Sequence, residues 1–292
     1  MFDTVEATRL TLARHRYIAD IGLSTSVFLA LKMGKAMFLE GEPGVGKTEV
    51  AKVLSRALDA PLIRLQCYEG LDVSQAVYEW NYPRQLLAIQ ANQPASNGTR
   101  DIFTEKYLLE RPLLKAVTMS RRETPVLLID ELDRADEEFE SFLLELLSDF
   151  QITIPELGTL RAEHRPIVVI TSNRTREIHD ALKRRCVYHW IDYPSRAKEL
   201  EILRLKAPGI SEELSARVVD FIQAVRRQEL YKPPGVAETL DWAEALKHLH
   251  VHRLDAAIVE STLGVIIKYQ DDVDRLRGAK LEGLLEQVEA EP

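Results

Sequence analysis

Cysteine is nearly missing from this 292-residue chain: Cys67 and Cys186 are the only two. They lie far apart in sequence, so no disulfide framework is encoded, and a reducing compartment is expected. Long apolar runs are missing too, and none approaches the roughly 20 residues that span a bilayer. The opening Met1-Phe2-Asp3-Thr4-Val5-Glu6 has no basic segment leading into an apolar one, so no signal peptide is expected. Positive charge is in deficit: 38 lysines and arginines face 46 acidic residues, for a net charge of −8. Nucleic acid is therefore not an expected partner, although a local basic groove stays compatible with that balance. Low-complexity tracts and short-period repeats are absent. The expectation is a cytoplasmic globular protein, long enough to bury a substantial core and, as a soft prior, to form two domains.

One stretch organises the rest. The apolar run Ala36-Met37-Phe38-Leu39 leads into Gly41-Glu42-Pro43-Gly44-Val45-Gly46-Lys47-Thr48, which matches the phosphate-cradling pattern G-x-x-x-x-G-K-[ST]. Glycines let the backbone curl with its N–H groups turned inward, and the following helix offers its positive end to phosphates. Lys47 can reach the β- and γ-phosphates, and the Thr48 hydroxyl can ligate Mg²⁺. A plain glycine turn is the alternative. Context argues against it, because Val50, Val53, Leu54, Ala57 and Leu58 follow at helical spacing. Residues Gly41 to Glu49 are the predicted ATP-binding segment.

A second apolar run, Val126-Leu127-Leu128-Ile129, ends in Asp130-Glu131. Ligands of open parallel sheets bind beyond the carboxyl ends of the strands. Asp130 is thus predicted to hold Mg²⁺ with Thr48, and Glu131 to polarise the attacking water. A solvated acidic turn is the competing explanation, since Asp133, Asp136, Glu137 and Glu138 follow closely. Between the two motifs, Pro61 to Cys67 reads as a strand. Residues 68–112 look less regular, with Gln93 to Thr99 as an exposed loop. A helix is predicted over Arg111 to Ser120.

Downstream, Phe139 to Phe150 reads as an amphipathic helix. The segments 151–154 and 159–162 read as a β-hairpin. Ile167-Val168-Val169-Ile170-Thr171 is a buried strand ending at Ser172-Asn173, which sets Asn173 near the predicted γ-phosphate unless it only caps the strand. A last strand, Val187 to Ile191, follows Leu182-Lys183-Arg184-Arg185. Residues 1–35 form a helical lead-in whose Tyr17, Ile18, Ile21, Val27, Leu29 and Leu31 are expected to pack on the nucleotide domain. From Pro194 onward strand signals vanish, and Leu214, Val218, Phe221, Ile222 and Val225 recur behind a Ser211 cap. The predicted domains are 1–194, an α/β nucleotide-binding domain, and 195–292, an all-helical one.

The wording of these motifs resembles the AAA+ ATPases and, within them, the MoxR group. The residues that carry it are Leu39 to Thr48, Ile129 to Ala135, Thr171-Ser172-Asn173 and Asp180 to Cys186. Tyr68 to Asp72, Tyr78 to Tyr82 and Gly235 to Thr239 are similar to the branch containing the CoxD-type maturation ATPases of carbon monoxide dehydrogenase. The resemblance covers nearly the whole chain. It implies a parallel five-stranded α/β core with a helical lid, in a homo-oligomeric ring, commonly a hexamer. It makes Asn173 a sensor of the γ-phosphate and Arg185 an arginine finger acting across the subunit interface, with Arg184 the close second choice. It also implies that the hairpin near 151–162 faces the ring pore or a partner. Members of the group work with a von Willebrand factor A domain protein on a client enzyme. Where relatives carry a lid arginine this chain has Gly235-Val236-Ala237-Glu238, and a carboxylate at Glu238 cannot sense a phosphate, so no lid sensor is assigned.

Three functions compete on these residues. The first is a Mg²⁺-dependent ATPase that remodels a protein client. The second is a magnesium-chelatase-like metal-insertion motor, and the third a nucleotide-gated scaffold with little turnover. A GTPase switch lacks its Asn-Lys-x-Asp segment. His248, His250 and His252 have no third ligand in register and read as a solvated helix end. Tyr68, Tyr78, Trp80 and Tyr82 read as core and subunit packing rather than a base-stacking platform.

Overall fold

The computed structural model describes residues 2–91 and 102–290, and the expected loop Gln93 to Thr99 lies outside the described residues. The strands are β1 (Ala36–Gly41), β2 (Leu62–Gln66), β3 (Tyr78–Trp80), β4 (Leu108–Glu110) and β5 (Val126–Asp130). They continue as β6 (Gln151–Ile154), β7 (Gly158–Arg161), β8 (Ile167–Ser172) and β9 (Cys186–Ile191). Five build one sheet in the order β2-β5-β8-β1-β9, and β2–β5, β5–β8 and β8–β1 pair in parallel. Every residue of β5 is buried, as the continuous apolar run requires of a strand covered on both faces. Edge strand β2 alternates instead, with Ile63 and Leu65 buried and Leu62, Arg64 and Gln66 exposed. Register pairs Gln66 with Asp130 and Glu40 with Ser172, and so levels the carboxyl ends of neighbouring strands.

The helices that flank this sheet in sequence are α1 (Val5–Arg14), α2 (Ile21–Met33), α3 (Lys47–Leu58) and α4 (Val73–Ala76). They are followed by α5 (Tyr82–Ala91), α6 (Pro112–Met119), α7 (Glu137–Asp149) and α8 (Asp180–Lys183). In α3 the predicted stripe holds: Val50, Val53, Leu54 and Ala57 are buried, with Leu58 half-buried. The lead-in face differs from expectation. Tyr17 and Ile18 precede α2, and Ile21 and Leu29 are 65% and 40% exposed. Val27 is buried as expected, and Leu23, Ser24, Ser26 and Ala30 complete the buried side. Serines can occupy it because their hydroxyls bond back to their own helix, Ser24 Oγ to Asp20 O at 2.7 Å and Ser26 Oγ to Gly22 O at 3.0 Å. The region 68–112 is more regular than expected, with α4, α5 and the antiparallel ribbon β3–β4. Trp80 belongs to the core, edge-on to Phe103 at 5.1 Å, whereas Tyr68 and Tyr82 are exposed. The hairpin β6–β7 pairs Gln151 with Arg161 through Ile154 with Gly158.

The contacts divide the chain into two units. The first comprises Met1–His15, Ala19–Glu40 and Thr48–Trp190; the second comprises Arg16–Ile18, Gly41–Lys47 and Ile191–Pro292. The sequence predicts a division at residue 194; the contacts place it at Ile191 and group the glycine loop with the C-terminal unit. A bond from Ala237 N to Gly44 O, 3.1 Å, is one cause.

The second unit contains α9 (Arg196–Lys206), α10 (Glu212–Arg226), α11 (Val236–His248), α12 (Ala256–Ile266), α13 (Gln270–Leu276) and α14 (Ala279–Ala290). Ser195, Ser211 and Asp255 cap α9, α10 and α12. The five apolar residues predicted on α10 are all buried, around Trp242, whose Nε1 donates to Thr262 Oγ1 at 2.9 Å. A charged group is buried beside them. Glu199, fully buried, takes two bonds from Arg226, at 2.6 and 2.7 Å, and one each from Gln223 and Thr239. Arg226 Nε also donates to Pro234 O at 2.7 Å, fixing the Pro233-Pro234-Gly235 turn. A buried ion pair with every lone pair used adds little over apolar packing, but losing one partner strands the other charge. Arg226→Ala is therefore expected to destabilise the protein by about 3–5 kcal/mol, read by urea denaturation, while a change under about 1 kcal/mol contradicts this picture.

Candidate nucleotide site

In the first unit the tip of β5 is fixed by hydroxyls. Asp130, 3% exposed, accepts at Oδ1 from Thr48 Oγ1 at 2.9 Å and from Thr171 Oγ1 at 2.6 Å. Its Oδ2 accepts from Arg64 Nη2 at 2.6 Å. Thr48 lies in the first turn of α3 and Thr171 near the end of β8, so three elements converge on one carboxylate. The predicted pair of Thr48 and Asp130 is thus in direct contact.

Glu131 follows with φ +56° and ψ +51°, a left-handed conformation rare for a residue with a side chain. Its N–H donates to Thr171 Oγ1 at 3.0 Å, which turns the chain sharply out of the strand. The carboxylate is 36% exposed, with Arg134 at 3.7 Å as its ion partner. Backbone strain held by a specific bond is a signature of functional sites. Asn173 directly follows β8; its N–H donates to the buried Asp133 at 3.2 Å, and its amide side chain has no bond among the described residues. Asp133 also accepts from Thr175 N and Oγ1, at 2.9 and 2.7 Å. Asp133 is therefore a structural anchor for the segment after β8 and not part of a solvated acidic run.

Of the predicted arginines, Arg185 is tied to its own chain. Nε donates to Ser148 Oγ at 2.6 Å and Nη1 to Ala181 O at 2.8 Å. Arg184 is exposed, with no side-chain bond among the described residues.

In the second unit the loop Gly41–Lys47 takes the conformation that its glycines permit. Gly44 and Gly46 have φ of +76° and +93°. Lys47 is 6% exposed, and its Nζ donates to Gly41 O at 2.8 Å and Glu42 O at 2.7 Å. The start of α11 lies against the loop. A Cβ on Gly235 would stand 2.6 Å from Pro43 O and 3.0 Å from Gly44 Cα, so only glycine allows this approach. Glu238 Oε2 accepts from Gly235 N at 2.8 Å and lies 2.9 Å from where a Cβ on Gly44 would stand. Lys47 and Thr48 are the first two residues of α3. Glu49 turns its carboxylate to Arg56 at 2.8 Å.

Arg64 and Thr171 escaped the sequence reading as partners of Asp130. Thr171 belongs to the Thr171-Ser172-Asn173 motif, which by itself gives it no role. The available signal was a hydroxyl or cation on a strand beside the acidic tip, but strand order is needed to see it.

The family model described as "AAA domain (dynein-related subfamily)" matches residues 36–186, just over half of the chain. The denitrification regulatory protein NirQ of Pseudomonas aeruginosa is 26% identical over 217 residues, 72% of this chain and 74% of NirQ. The gas vesicle ATPase GvpN of Haloferax mediterranei is 25% identical over 210 residues, 68% of this chain and 58% of GvpN. Among solved structures, a Thermotoga maritima RuvB variant aligns with a TM-score of 0.46 at 17% identity, covering 89% of this chain and 68% of that one.

The acidic cluster also governs the nearest thiol. Cys67, whose N–H donates to Asp130 O at 2.9 Å, has its pKa pushed up to about 12, first by burial and then by Asp130, Asp133 and Glu131. Burial likewise pushes Cys186 up to about 12. A raised pKa keeps a thiol protonated, and the thiolate is the nucleophile. At pH 8 neither cysteine should react measurably with iodoacetamide in the folded protein, and both should react in urea; rapid native labelling of Cys67 would contradict the burial described.

Proposed function

We propose that this chain, which belongs to the AAA domain family (dynein-related subfamily) and is an AAA+ ATPase, uses ATP hydrolysis to remodel a protein client in the manner of the MoxR group. The observation that carries the hydrolytic half is the meeting of Thr48, Asp130 and Thr171 beside the strained Glu131. The donor set suits the expected metal: a hydroxyl and a carboxylate are hard oxygen ligands of the kind Mg²⁺ takes. The positive-φ glycines of the loop suit a polyphosphate. Bound with ATP, Mg²⁺ supplies positive charge to the phosphate oxygens.

The chain's own groups have separate tasks. The loop amides and Lys47 hold the phosphates, Thr48 and Asp130 hold the metal, and Glu131 orients the attacking water. Asn173, with its side-chain amide uncommitted, senses the γ-phosphate. An arginine from a neighbouring copy completes the charge, so that turnover depends on assembly into a ring, commonly of six. Arg185 was the first candidate for that role, but it would have to break two bonds to its own chain. The exposed Arg184 needs no such change and is favoured.

The client half is supported by relatives named as a gas vesicle ATPase and as a denitrification regulatory protein. The motif similarity to CoxD-type ATPases points to a metalloenzyme client and a von Willebrand factor A domain partner. Among the described residues no group of three or more metal-holding side chains occurs. No helix among the described residues is long and apolar enough to cross a membrane.

Glu131→Gln separates a motor from a nucleotide-gated scaffold. A motor should lose at least about a hundredfold in kcat, with ATP affinity kept, and should retain its client in ATP-dependent pull-downs. Unchanged turnover sinks the role of Glu131, and the absence of any ATP-dependent partner sinks the remodelling. For the arginine, Arg184→Ala should lower kcat by about a thousandfold, and mixing it with Glu131→Gln protein should restore activity at mixed interfaces. Full activity of Arg184→Ala alone returns the role to Arg185.

A further inference from the structure

We infer that Arg64 competes with the divalent cation for Asp130 and thereby sets how tightly the metal is held. The inference rests on the reading that Thr48 and Asp130 hold Mg²⁺. Its geometry lies wholly within the first unit. Register on the β2–β5 pair sets Gln66 opposite Asp130, and Arg64, two residues earlier, shares the exposed face of β2 with Gln66. Arg64 Nη2 donates both to Gln66 Oε1, at 2.5 Å, and to Asp130 Oδ2, at 2.6 Å. The guanidinium is thus braced over the oxygen that the two threonine hydroxyls leave to it.

A purely orienting role fits less well. Thr48 and Thr171 already fix the carboxylate through Oδ1, from α3 and β8. What Arg64 adds is a full positive charge on Oδ2, where a cation approaching Asp130, directly or through water, meets like charge. Burial divides the pair unevenly: the Asp130 side chain is 4% exposed and that of Arg64 51%. The carboxylate therefore stays, while the arginine can swing into solvent as metal arrives. An arginine so exposed contributes little to folding, so its removal leaves a folded protein to measure.

The test uses the whole protein with Mn²⁺ as the probe, its free concentration read by electron paramagnetic resonance beside a non-hydrolysable ATP analogue. Arg64→Gln should bind Mn²⁺ about tenfold more tightly than the natural protein, equivalent to about 1.4 kcal/mol. Its affinity for the analogue in EDTA should change less than about twofold on the same grounds. Arg64→Lys keeps the charge and should stay near the natural value. Unchanged or weaker Mn²⁺ binding by Arg64→Gln overturns the inference, as does equal tightening by Arg64→Lys. Asp130→Asn separates the two levels of the reading. If it binds Mn²⁺ as the natural protein does, Asp130 is no metal holder and both ideas fail. If it binds more weakly while Arg64→Gln shows no gain, only the role of Arg64 falls.

Discussion

One carboxylate organises the chemical end of this protein. Asp130 receives hydroxyls from a helix and from a neighbouring strand and a guanidinium from the edge strand, while its own strand is buried along its whole length. A buried carboxylate is tolerable only when its oxygens are bonded, and here each bond comes from a different element. The first turn of α3 and the end of β8 are therefore held in mutual register by a single side chain, while the exposed Arg64 of β2 adds its charge at the second oxygen. Thr171 serves twice, bonding Asp130 and receiving the Glu131 N–H, so the strained turn after β5 depends on the same cluster.

The C-terminal unit carries a second buried charge with a different task. Glu199 and Arg226 tie three helices and the Pro233-Pro234-Gly235 turn into one body, and that turn meets the glycine loop so closely that a methyl group would not fit. Removing the side chain at Gly235 is what permits the approach. The loop is thus constrained by its packing against the start of α11.

Much of this was legible in the sequence because the residues concerned are contiguous. Gly41 to Thr48 is one segment, and Val126 to Glu131 is another, so strand, loop and acidic tip could be read without knowing the fold. The α10 stripe was legible for the same reason, since helical spacing is a local pattern. What escaped lies across the sheet. Arg64 and Asp130 are neighbours only through strand order, and no local pattern predicts which strand lies beside which. The α2 face was misjudged because hydrophobicity marked Ile21 and Leu29, whereas close packing there favours serines that satisfy themselves on the helix. The ribbon β3–β4 has three-residue strands, too short for alternation to register. Likewise, nothing in Glu131 itself announces a positive φ; that conformation is imposed by Thr171, forty residues on.

The proposed reading has a triphosphate held by the loop ending in Lys47 and Thr48 and cut beside the tip of β5. A calorimetric titration of ATP into the Lys47→Ala protein tests it most directly. Affinity should fall by about two orders of magnitude, the loss expected when a charged phosphate contact is removed. Binding as tight as that of the natural protein would contradict it.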